Sequence, residues 1–122
     1  MLDVYLWIAS ALSGAWFLVH FFIGGRQVAG PLRASTDLGE MPRAVAWMCW
    51  HMVSITLFLL ATFFAGAILF DMPGLGWAGV LIAAGLSGVG LIAAPFMSVS
   101  YRLMPQGFLF LPIVILGVLG LG

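Results

Sequence analysis

Charge is missing from most of this chain. Four apolar runs, residues 4–24, 44–70, 77–97 and 105–121, contain no Asp, Glu, Lys or Arg, and all charged residues lie between or beside them. A helix of roughly 20 apolar residues crosses a hydrocarbon layer about 30 Å thick, whereas an ionised side chain at its centre costs at least about 2.5 kcal/mol. The pattern therefore predicts an all-α fold, a single domain over residues 1–122 built as an integral membrane bundle of four transmembrane helices. Composition agrees, because 7% charged residues cannot clothe a water-facing surface that ordinarily needs about 25%.

The distribution of the few charges sets an orientation. The chain has no lysine, and its arginines are Arg26, Arg33 and Arg43 in the segment 25–43 and Arg102 in the segment 98–104. Connectivity puts both segments at one end of the bundle. The other end holds the two termini and the segment 71–76, with Asp3 and Asp71. The positive-inside rule assigns the arginine end to the cytoplasm and both termini to the non-cytoplasmic side, as a multi-pass protein of a bacterial inner membrane. Asp3 ahead of the first run, where a secretory signal would carry Lys or Arg, marks that run as a retained helix. Trp47, Trp50 and Tyr101 fall near one interface and Tyr5, Trp7 and Trp77 near the other, as anchoring aromatics do. Arg26, Arg33, Arg43 and Arg102 are candidates for holding anionic lipid headgroups. With net charge zero there is no basic face for nucleic acid.

Local signals refine the boundaries. Pro31 is expected to stop the first helix, Asp37 and Glu40 stand at capping-box spacing, and Pro42 suits a first helical position. Pro112 lies inside the fourth run and should free the Phe108 carbonyl. The second run is over-long and is expected to tilt; the fourth is marginal at ~25 Å. In the third run Gly79, Ala83, Ser87, Gly90 and Ala94 are spaced by four, four, three and four, giving one face almost no bulk. In lipid such stripes are how backbones approach closely, so this face is the expected packing interface, within the chain or against another subunit. Ala9, Leu12, Ser13 and Gly14 repeat in Ala83, Leu86, Ser87 and Gly88, a short echo between the first and third runs.

Two histidines are the candidate cofactor residues. By helical rise His20 and His51 lie at depths of ~6 Å and ~10 Å from the arginine end. Imidazoles on adjacent helices can ligate haem or share a metal, or hydrogen-bond to a serine or a backbone carbonyl. Around His51 the soft side chains Met48, Cys49 and Met52 would suit monovalent copper, but Met is also an ordinary gap-filler. The lone Cys49 forms no intrachain disulfide. No G-x-S-x-G elbow or intramembrane carboxylate supports nucleophilic or acid–base catalysis.

His20 near the end of the first helix, a polar loop, and an aromatic followed by His51 at the head of the second helix together resemble small, uncharacterised four-helix bacterial inner-membrane proteins. The glutamate that small multidrug exporters carry in the first helix is missing, as is the Gly-Gly-Thr-Thr-Phe-Ser element of fluoride channels. The resemblance implies a topology and no activity. The expected function is a non-enzymatic accessory or assembly subunit of a larger inner-membrane complex, respiratory or photosynthetic, with lipid and other integral membrane subunits as partners. The alternatives are a haem- or metal-binding redox protein using His20 and His51, and a small oligomeric channel or carrier.

Overall fold

A computed structural model describes residues 1–122, and it is helical throughout, without strands. Helix α1 (Asp3–Leu18) continues without a break through a π-helical segment (Val19–Ala29) into the short α2 (Gly30–Ala34). After a five-residue link come α3 (Glu40–Leu69), α4 (Pro73–Phe96) and α5 (Gln106–Leu121). Three rods, Asp3–Ala34, Glu40–Leu69 and Pro73–Phe96, are long and apolar enough to cross a membrane; α5, with 16 residues, is shorter. Short connections make consecutive helices antiparallel, and α5 packs back on α1, closing a ring in which each helix touches the next. The ring is latched where the Leu2 N–H donates to the Gly120 carbonyl at 2.7 Å.

The first rod runs ten residues beyond its expected end at Gly24, and the irregular link shrinks from residues 25–43 to residues 35–39. Neither Gly25 nor Pro31 breaks it. In a π-helix each N–H reaches five residues back, as Gly30 does to the Gly25 carbonyl. Returning to the ordinary four-residue reach leaves one carbonyl without a donor in any case. Pro31, which has no N–H, stands at that switch, in the first turn of α2. The Asp37–Glu40 capping box does not form; the Ser35 hydroxyl instead accepts from the Asp37 N–H at 3.3 Å. Pro42 sits in the first turn of α3, where N–H groups lack intrahelical partners, but two residues after its start at Glu40.

Two tight endings fix the hairpins. After α3, Asp71 takes φ 49°, Met72 N–H bonds to the Ala67 carbonyl and Asp71 N–H to that of Ile68, which is the Schellman arrangement. Ser98, at φ 55°, repeats it after α4 through Val99 to Ala94 and Ser98 to Pro95. Because the first of these endings is so compact, α4 starts at Pro73 rather than at residue 77. Pro95 inside α4 deprives the Leu91 carbonyl of its donor, and the Tyr101 hydroxyl supplies one from beyond the turn at 2.7 Å.

The core centres on Phe64, fully buried with Leu6, Leu60, Ala83 and Ile113. Its ring fills the hollow left by Gly79 of α4 and Gly117 of α5, where added Cβ atoms would lie about 3.0 Å away. Nearer the arginine end α4 and α5 cross at Gly90 and Gly107, where a Cβ on Gly90 would fall 2.5 Å from the Gly107 nitrogen. Ser87 donates to the Gly107 carbonyl at 2.7 Å in the same contact. Ser13, its counterpart in the sequence echo, bonds only to Ala9 of its own helix.

Candidate functional site

The π-helical segment and the first third of α3 bring the polar and aromatic side chains of the arginine end together. His20 lies parallel to the Trp50 indole, with ring centroids 4.0 Å apart and planes inclined by 15°. Its Nε2 is 3.0 Å from the Trp50 carbonyl oxygen. A carbonyl only accepts, so Nε2 carries the proton and donates, and Nδ1 of the neutral ring is left as an acceptor. Ser54 Oγ donates to the same carbonyl at 3.3 Å. Gly24, one turn beyond His20, receives the other end of the indole; a Cβ there would be 2.7 Å from the Trp50 ring. Trp50 is thus clasped between His20 and Gly24, although its buried Nε1 has no acceptor.

His51 belongs to a second group. It meets Trp47 edge-on with centroids 4.3 Å apart and Phe21 at 6.3 Å. The Arg33 guanidinium lies 5.8 Å over the Trp47 ring, at the far end of the first rod. The structure therefore places both histidines at matching levels of one hairpin, deeper than the expected ~6 Å and ~10 Å because the first rod runs on to Ala34 and α3 starts at Glu40, but gives each a different aromatic neighbour and ties His20 Nε2 to the backbone. Cys49, Met48 and Met52 are exposed, and no three His, Cys, Asp or Glu side chains converge.

The remaining site candidates divide by where they face. Gly79, Ala83, Ser87 and Ala94 are buried and Gly90 is half-buried, against the chain's own helices α3 and α5 as described above. That stripe closes the monomer and is not open to another subunit. Arg43 donates to the Ser35 carbonyl at 3.0 Å. Arg26 borders a small cleft with Phe22, Ile23 and Gln27, and Arg102 is exposed in the turn after α4.

Two grooves on the outside of the bundle were not foreseen from the sequence. One, of 530 Å³, runs between α1 and α3 and is lined by Ala11, Gly14, Ala15, Ala61, Thr62 and Ala65 with a rim of larger side chains. The other, of 540 Å³, follows α3 alone from Trp47 to Thr56. Small residues at i, i+3 and i+4 in the first run and at i, i+1 and i+4 in the second were the available signal, overshadowed by the longer stripe of the third. Trp16 was also missed: its indole N–H donates to the Leu109 carbonyl at 3.0 Å and joins α1 to α5. Comparison with protein-family models, curated proteins and solved structures finds no match.

Changing His20 to Ala removes an aromatic stack worth about 0.5–1.5 kcal/mol and an interhelical hydrogen bond averaging about 0.6 kcal/mol in membranes. A loss of roughly 1–2 kcal/mol is expected by thermal unfolding in detergent, with a changed near-ultraviolet signal from Trp50. His51→Ala, which removes only edge contacts, should cost less. A Soret band or stoichiometric metal in the purified wild-type protein, lost in both variants, would instead establish a shared ligand site.

Proposed function

We propose that the chain is an integral membrane protein of four spans that serves, without enzymatic activity, as an accessory or assembly subunit of a larger inner-membrane complex, respiratory or photosynthetic. It meets a partner's transmembrane helix along the outer α1–α3 groove. Support for the membrane setting comes from the outward faces: Leu81, Val89 and Ile92 are 72%, 69% and 68% exposed, side chains that water would penalise and lipid accepts. The arginine end then faces the cytoplasm. Helix α5 rises only about 24 Å, a mismatch that local thinning of the bilayer absorbs at modest cost.

The groove carries the partner reading. Ala11, Gly14 and Ala15 from α1 face Ala61, Thr62 and Ala65 from α3 across it. Association in lipid proceeds by close van der Waals approach at small residues rather than by hydrophobic exclusion. With the α4 stripe already used inside the monomer, this groove offers a neighbour a small-residue surface contributed by two helices. Ala11 and Ala15 are exposed, so Ala11→Trp and Ala15→Trp fill the groove without invading the core. In gently solubilised membranes the wild-type 13.0 kDa chain is expected to co-migrate with a much larger complex. Both variants should run free, while Leu81→Trp on the outer face of α4 should still co-migrate. Retention of the complex by the groove variants, or a free wild-type chain, would defeat the assignment.

A further inference from the structure

We propose that α3 carries a phospholipid site at the arginine end, with an anionic phosphate headgroup on Arg33 and one acyl tail laid along the groove from Trp47 to Thr56. The inference rests on the membrane reading above but not on the partner helix. The groove is lined by Trp47, Met48, His51, Met52, Ile55 and Thr56, a repeat of adjacent pairs every four residues that traces one straight strip of α3. That strip is about 14 Å long at 1.5 Å per residue, close to the ~15 Å half-thickness of the hydrocarbon layer that one tail spans. Below His51 its floor is apolar, because the Thr56 hydroxyl is already donated to the Met52 carbonyl at 2.9 Å.

The head of the strip supplies the opposite chemistry. Arg33 rests on Trp47 while Arg43 is turned to a backbone carbonyl, and the exposed Asp37 and Glu40 neutralise only two of the four arginines at this end. A guanidinium fork matches phosphate oxygens. His51, one turn or about 6 Å below Trp47, offers a ring N–H at the depth of the tail's ester oxygens. A charged head directly above a single-file apolar strip fits an anionic amphiphile. An uncharged tail would leave Arg33 without a counter-charge.

The test uses the full chain reconstituted in phosphatidylcholine vesicles containing an equal minor fraction of brominated-chain phosphatidylglycerol or brominated-chain phosphatidylcholine. The Trp47 contribution to fluorescence is isolated by difference from Trp47→Phe, which keeps an aromatic ring. Quenching of that contribution is expected to favour the anionic probe by about fivefold in effective affinity, the usual advantage of one basic side chain at an anionic surface. Arg33→Gln, an exposed change that leaves the fold intact, should abolish the preference. Equal quenching by both probes, a preference that survives Arg33→Gln, or a two-chain mass in detergent with Trp47 shielded would overturn the site while leaving the membrane reading in place. Release of the chain from vesicles at alkaline pH would overturn both.

Discussion

Leucine in place of Gly90 is expected to unseat α5 from α4. The Cβ alone would stand 2.5 Å from the Gly107 nitrogen and 2.6 Å from its Cα. Both are backbone atoms, so no side-chain rotation relieves the clash and the helices must separate. Separation lengthens the Ser87 hydrogen bond to the Gly107 carbonyl, 2.7 Å in the wild type, in the same step. Overpacking typically costs about 1–3 kcal/mol, and the upper end is expected here. Gly85→Leu provides the control, since a Cβ at Gly85 meets nothing within 4 Å. Thermal unfolding in detergent should drop sharply for Gly90→Leu and hold or rise for Gly85→Leu. Equal stability of the two variants would mean that α5 does not pack on α4 at Gly90.

The second large effect is expected at Phe64. In a water-soluble core, Phe→Ala costs about 3–5 kcal/mol. In the lipid setting proposed above, the separated helix keeps its side chain in hydrocarbon, so the transfer contribution largely falls away and the cavity contribution remains. A void of roughly 100 Å³ at ~24 cal/mol per Å³ gives about 2–3 kcal/mol. The loss has a direction as well as a size, because the ring is the plug that fits both Gly79 and Gly117. A compensating pair, Phe64→Ala with Gly79→Ala, should recover part of the loss, because the three atoms nearest an added Cβ at Gly79 all belong to the Phe64 ring. A double variant less stable than Phe64→Ala alone would count against it.

The helical class and three of the four helices could be read from where charge stops, because the cost of an ion in hydrocarbon is large compared with most local preferences. The observed α3 and α4 run from Glu40 and Pro73, each starting four residues before the apolar run. In the membrane setting proposed above, helix ends continue into the polar interface, where charge is tolerated. The first rod was misjudged for a different reason. Gly24, Gly25 and Pro31 are breakers of an ordinary α-helix, and nothing in their spacing announces a π-helical register in which Gly24 makes room for Trp50 and Pro31 falls on a donor-free step. The stripe Gly79 to Ala94 was legible as a close contact, but which helix it meets is a tertiary fact. Its partners, Phe64 and Gly107, lie in runs whose own periodicity gave no hint. The two histidines were correctly expected at matching levels of one hairpin, but not at its very end: the first rod runs on to Ala34 and α3 starts at Glu40, so both lie deeper than expected. Their division between Trp50 and Trp47 depends on the rotation of the π-helical segment about its axis.

That rotation makes the segment Val19–Ala29 a dial. Each wide turn holds more residues than an ordinary one, so everything beyond it is swung around the rod's axis relative to α1. Trp16, which meets α5 below the segment, and Arg33, which meets α3 above it, are set in relative orientation by the number of wide turns between them. Deleting a single residue from this stretch would leave the apolar run long enough to span and its composition unchanged, yet turn Arg33 away from Trp47. Length tolerance here is therefore angular: the chain can afford substitutions on the outer face of this rod far better than a change in count.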